Sequence, residues 1–111
     1  MTLVDTSVWI HHFRSGNSRL RELLQEGEVA THPMVLGELA CGNLAKRAET
    51  LRLLHRLPRI PQALDHLVLQ SIESQRLFGK GLGWVDAHLL TASLLSSVPI
   101  WTLDQRLAGL V

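Results

Sequence analysis

A short apolar run that stops on a carboxylate, Leu3-Val4-Asp5, followed at once by Thr6-Ser7-Val8-Trp9-Ile10, limits the folds open to this chain more than any other stretch. Residues 2–5 are apolar on both faces, the pattern of a strand at the centre of a parallel sheet covered by helices on either side. The helix behind it can be capped by Thr6 or Asp5, and Val8, Trp9, Ile10 and Phe13 supply an apolar stripe before Ser15-Gly16-Asn17 breaks the pattern. An acid at the tip of a buried strand is costly, because an unpaired carboxylate removed from water loses its hydration. Asp5 must therefore cap the helix, partner a cation or belong to a site.

Further along, the same alternation of strand and helix recurs. A second helix is expected from about Ser18 to Gln25, with Leu20, Leu23 and Leu24 inward, and Gly27 ends it. Glu28-Val29-Ala30-Thr31 reads as a second strand, and His32-Pro33 opens a helix that runs to Cys41, with proline in its favoured first turn. Apolar Met34, Val35, Leu36, Leu39, Ala40 and Cys41 surround that helix, so it is expected to be buried on most sides with Glu38 in its middle. Helices follow at about 44–57 and 62–78, separated by Pro58-Arg59-Ile60-Pro61. Gly79-Lys80-Gly81-Leu82-Gly83 lacks the Lys-Ser/Thr pair of a phosphate cradle and reads as a loop. Asp86 opens a helix to about Ser97 with Leu89, Leu90, Leu94 and Leu95 as core, and Val98 to Thr102 form a late strand. Leu103-Asp104 then repeats the opening pattern of strand, carboxylate and helix start. The pattern is that of an α/β domain.

At 111 residues the chain fits one domain, and its net charge of +1 carries no overall signature of a nucleic-acid binder. The single Cys41 leaves no disulfide and no cysteine pair for structural zinc, which fits a reducing, intracellular setting. No stretch approaches the roughly 20 apolar residues of a membrane-spanning helix, and the first residues lack the form of a signal peptide, so a cytoplasmic protein with no membrane partner is expected.

The acids carry the chemistry. Asp5, Asp86 and Asp104 each stand where a helix begins, where an N-cap is the ordinary explanation. Glu38 is mid-helix and can cap nothing, so a buried glutamate there either protonates or meets a cation. Asp5 and Asp104 both emerge at the carboxyl ends of strands, where open parallel sheets bind ligands. Should Glu38 and Asp86 join them, each pair of ionised carboxylates at roughly 6 Å and an effective dielectric near 20 repels by about 2–3 kcal/mol. A divalent cation resolves that repulsion, and all-oxygen ligation points to Mg²⁺ or Mn²⁺. With four of the ten acids in a site, six face eleven Lys and Arg elsewhere, a surface excess of five positive charges. The six histidines lack zinc-ligand spacing, and neither Ser7 nor Ser93 lies in a nucleophile elbow.

Taken together, Asp5-Thr6-Ser7-Val8-Trp9, Glu38-Leu39, Gly81-Leu82-Gly83-Trp84-Val85-Asp86-Ala87 and Trp101-Thr102-Leu103-Asp104 resemble the PIN-domain ribonucleases, and more narrowly the VapC toxins of bacterial toxin–antitoxin pairs. The resemblance runs across the whole chain. It implies a three-layer α/β/α fold around a short central parallel sheet, and a Mg²⁺- or Mn²⁺-dependent endoribonuclease acting on tRNA or rRNA. It further implies a homodimer, inhibited by a small cognate antitoxin inserted into the active-site groove. Carried over residue by residue, Asp5, Glu38, Asp86 and Asp104 match the four acids in order, with Asp5 and Asp86 most directly holding the metal and Thr6 and Thr102 as supporting polar positions. Arg14, Lys46 and Arg47 are the candidate RNA-backbone contacts. Residues 1–111 are then a single PIN domain. The family commonly continues into another strand, whereas here Val111 follows Asp104 by seven residues, so the last strand is expected to be missing or cut short. The competing readings are a non-catalytic module that keeps the fold and binds a partner in the same groove, and, more weakly, phosphotransfer on an aspartate, for which Asp5 lacks a second Asp two residues on.

Overall fold

The computed structural model describes residues 1–111. The elements in order are β1 (Thr2–Val4), α1 (Thr6–Ser15), α2 (Ser18–Gln25), β2 (Val29–Ala30), α3 (Pro33–Cys41), α4 (Arg47–His55), α5 (Asp65–Ser74), α6 (Trp84–Ser96), β3 (Ile100–Trp101) and α7 (Gln105–Ala108). The sheet is parallel with order β2-β1-β3, and Leu3 of the central strand faces Ala30 on one side and Ile100 on the other. Successive residues of a strand point to opposite faces. Leu3 and Val4 are both 0% exposed, so helices cover both faces and the three-layer arrangement follows. One continuous apolar core takes in Leu3, Val8, Leu20, Val35, Leu89 and Leu107. No helix is long and apolar enough to cross a membrane.

Segment 58–61, a helix breaker by sequence, extends the sheet. Thr31 N–H donates to the Pro58 carbonyl at 2.8 Å and Ile60 N–H to the Thr31 carbonyl at 2.9 Å, a parallel bridge on the outer side of β2. That pairing draws residues away from both flanking helices, which are shorter than the apolar periodicity predicts. α4 also cannot start earlier, because Lys46 sits in the left-handed region at φ 46°.

Three burial expectations are corrected. α3 is buried through Val35, Leu36 and Leu39 only, while Glu38 and Cys41 are exposed. Cys41 is small enough to lie on an outer face at little cost, and Ala40 is half-buried, so neither signals a buried face. On α1, Val8 and Trp9 point inward, but Ile10 and Phe13 are 39% and 41% exposed. Leu94 and Leu95 are exposed as well, because α6 passes the core between Ala87 and Ala92 and its last turn projects beyond it.

α5 ends in a Schellman arrangement. Arg76 N–H bonds the Glu73 carbonyl at 3.2 Å, Leu77 N–H bonds the Ile72 carbonyl at 2.9 Å, and buried Leu77 seals the turn. The left-handed position, φ 52°, is occupied by Arg76 instead of the usual glycine. Arg76→Gly is expected to stabilise the fold by about 0.5–1 kcal/mol by relieving that conformation. Urea denaturation checks it: a rise in midpoint at unchanged slope is the expected result, and a fall would show that the arginine side chain contributes more than its backbone costs.

Candidate active site

The parallel pairing of β1 and β3 brings their carboxyl ends side by side, with Asp5 N–H donating to the Trp101 carbonyl at 2.9 Å. Asp5 occupies the N-cap position of α1, yet its side chain caps nothing. Its Oδ2 accepts instead from two hydroxyls, Ser7 Oγ at 2.7 Å and Thr102 Oγ1 at 2.7 Å. Each of those hydroxyls also accepts a backbone amide from the turn after β3, Leu103 N–H to Ser7 at 3.0 Å and Asp104 N–H to Thr102 at 3.0 Å. Asp5 is 7% exposed and is paired with no cationic side chain.

The other three acids share one property with it. Glu38 accepts from Thr6 Oγ1 through Oε1 at 2.7 Å, which joins the first turn of α1 to the middle of α3. Asp86 stands at the third position of α6, not at its cap, and its Oδ2 accepts from Gly83 N–H at 3.0 Å. Asp104 is a true N-cap: Oδ1 takes the amides of Arg106 and Leu107 at 2.9 and 3.3 Å. In each of the four, one carboxylate oxygen is engaged by the protein while the other, Oδ1 of Asp5 and Asp86, Oδ2 of Asp104 and Oε2 of Glu38, accepts nothing and is not sealed from solvent.

Direct bonds connect Asp5 to the Asp104 turn and Thr6 to Glu38. Asp86 is reached indirectly: the Arg106 side chain packs on the loop ahead of α6, where a Cβ at Gly81 would lie 3.1 Å from it, and Arg106 Nε is 3.8 Å from Asp104 Oδ1. Arg106 is the only cationic side chain paired with any of the four acids. No group of three or more carboxylate, histidine or cysteine side chains stands together as a ready-made metal cage. Mg²⁺ does not require one, since it keeps several waters and engages one or two carboxylates. Bare carboxylate oxygens, that of the buried and cation-free Asp5 above all, are the donor type a hard divalent ion takes.

Beside the acids, Ile10, Phe13, Arg14, Glu38, Leu39 and Asn43 contribute to a groove of about 470 Å³. Arg14 lines it directly, and Lys46 follows the groove-lining segment Gly42–Ala45. Arg47 is otherwise engaged: its guanidinium donates to the Gly42 carbonyl at 2.8 Å and to the Ala40 carbonyl, closing the end of α3 onto α4. Two histidines are fully buried, His32 at the start of α3 and His88 in α6, with ring centroids 6.3 Å apart. His32 Nδ1 caps α3 by accepting from Met34 N–H at 3.0 Å. Burial, with a smaller contribution from His88, pushes the His32 imidazole down from 6.5 to about 4.

Two site residues escape sequence reasoning. Ser7 draws attention there only as a nucleophile, although a hydroxyl two residues after an N-cap aspartate stands beside that carboxylate in the first helical turn. Arg106 carries no signal, because the loop it packs on, at Gly81, is distant in sequence.

A strand-tip aspartate held by hydroxyls from two elements, beside the Asp104 turn on a parallel α/β/α scaffold, is the arrangement this fold presents at the carboxyl ends of its strands. The model of the PIN domain family matches residues 2–110, and the chain belongs to that family. Among curated proteins, Ribonuclease VapC32, found in two strains of Mycobacterium tuberculosis, is 45% identical over 108 residues, covering 96% of this chain and 87% of that protein.

Proposed function

We propose that this chain is a divalent-metal-dependent endoribonuclease, the toxin component of a type II toxin–antitoxin pair. The observation that carries this reading is the shared state of the four acids: each is fixed through one oxygen and bare at the other. Asp5 is the sharpest case: it is buried and has no cationic partner, an arrangement that is costly for a purely structural carboxylate, while Glu38 and Asp86 leave their second oxygens open to solvent. The PIN family membership and the similarity to a ribonuclease support the same conclusion.

In this reading Asp5 Oδ1 and Asp86 Oδ1 hold Mg²⁺ or Mn²⁺, and Glu38 and Asp104 complete the negative cluster. When bound, the ion supplies Lewis-acid activation of water and neutralises charge on the non-bridging phosphate oxygens. The chain's own part is positional and protonic. Thr6 orients Glu38, and Ser7 and Thr102 orient Asp5. Water adds to the phosphorus, its proton is accepted at the bare Glu38 Oε2, the P–O bond to the leaving sugar oxygen breaks, and that oxygen takes a proton from solvent. Arg14 and Lys46 neutralise RNA phosphates at the groove. Arg47 contributes through the loop it holds. The RNA class is tRNA or rRNA, met in the cytoplasm.

A cognate antitoxin occupies the groove beside Glu38, its apolar contacts made on exposed Ile10 and Phe13. Self-association as a homodimer belongs to the same reading, and exposed Leu69, Leu94 and Leu95 offer apolar surface for it. The test is cleavage of a structured RNA by purified protein with Mg²⁺, with Mn²⁺ and in EDTA. Activity is expected with either ion, loss in EDTA and recovery on re-addition. Undiminished cleavage in EDTA would sink the metal-nuclease reading, and metal binding without cleavage would favour the interaction module.

A further inference from the structure

We infer that Ser7 is a positioning residue that aims the bare oxygen of Asp5 at the ion and fixes the turn carrying Asp104; this rests on the metal-dependent ribonuclease reading. Ser7 Oγ and Thr102 Oγ1 lie 3.3 Å apart. Each has one proton, and each spends it on Asp5 Oδ2, so their mutual approach follows from sharing an acceptor. Two parallel relays result, Leu103 N–H to Ser7 to Asp5 and Asp104 N–H to Thr102 to Asp5. Consecutive amides of one turn are thereby docked, through two hydroxyls, onto a single carboxylate oxygen.

Two consequences follow for the site. A carboxylate held at one oxygen by a single donor can still swing about that bond, whereas two donors from different elements fix its plane. Oδ1 is then left in one orientation, the requirement for a ligand to an ion of demanding octahedral geometry. The same pair of hydroxyls sets the distance between the first acid and the last, because the 103–104 backbone cannot shift without breaking one relay. Family resemblance gives Thr102 a supporting role. Ser7 performs the matching half from beyond the carboxyl end of the neighbouring strand, in the first turn of α1.

The test separates this role from general stability. In the metal-free protein, hydrogen exchange at the Leu103 amide is expected to quicken by about tenfold in Ser7→Ala while Asp104 is unchanged, and Thr102→Val is expected to do the reverse. Mn²⁺ affinity measured by calorimetry should weaken by about 10–100-fold in Ser7→Ala, kcat at sub-saturating Mn²⁺ should fall in step, KM for RNA should hold, and Ser7→Thr should restore all of these. Should Ser7→Ala not fold, Ser7→Cys, which keeps the volume but donates weakly, is expected to give the same pattern. Leu103 exchange and Mn²⁺ affinity within about twofold of wild type in these variants would overturn the inference. Wild-type protein that neither binds Mn²⁺ nor cleaves RNA with it would instead overturn the ribonuclease reading and, with it, Ser7's role toward the ion; Leu103 exchange still decides whether Ser7 holds the turn.

Discussion

Asp5→Asn is expected to lower RNA cleavage by at least about 10³-fold, the loss of roughly 4 kcal/mol of charge stabilisation, while leaving the fold nearly as stable as wild type. The asymmetry comes from the two hydroxyl donors. Ser7 and Thr102 both require an acceptor where Oδ2 now stands, so the asparagine amide must place its carbonyl oxygen there. Its NH₂ group then takes the position of Oδ1, presenting donors where a cation should sit. A neutral amide also costs less to bury than an unpaired carboxylate, which offsets part of the weakened hydrogen bonding. Single-turnover cleavage of RNA in Mn²⁺, paired with thermal unfolding, measures both halves. Retained cleavage would remove Asp5 from the chemistry, and collapse of the fold would show that the relays depend on the full negative charge.

Acidification provides the second large effect. His32 is fully buried with an imidazole held near 4, against 6.5 when unfolded. The unfolded chain therefore takes up the proton first. The stability of the neutral folded imidazole is complete above about pH 6.5 and is lost as pH falls towards 4. At pH 5 the loss from this group is about 2 kcal/mol. His32→Asn tests the assignment, because its side-chain oxygen can still accept the Met34 amide at the start of α3 but does not titrate between pH 8 and 5. The variant should be less stable at pH 8, through lost packing, and lose distinctly less on going to pH 5. Equal losses in urea unfolding at the two pH values would place the acid sensitivity elsewhere.

Much of this site is legible in the residues, for identifiable reasons. The tip of β1, the Asn17-capped α2 and the His32-Pro33 start of α3 are set by local chemistry, and the structure places them at or within a residue of where the pattern does. The four acids stand out because each interrupts an apolar pattern. Glu38 does so for a partly mistaken reason: its outward face is lined by Gly37 and Cys41, small residues that hydropathy counts as interior and geometry does not. The hydroxyl relays are hidden, because nothing local to Ser7 names Leu103 as its partner. The 58–60 bridge is hidden likewise, since Pro58 and Pro61 are breakers in any local reading and only the free edge of β2 gives Ile60 something to pair with.

The bond between Thr102 and Asp5 spans 97 residues, and those of Ser7 to the same turn span 95 and 96. The first acid and Ser7 leave the ribosome early, and the second donor, Thr102, arrives when almost all of these residues have been made. Until β3 docks, Asp5 has only the one local hydroxyl, which leaves its plane free to swing. The plane of the first acid is thus set from the far end of the chain, so the site is completed only when β3 and the turn after it are in place.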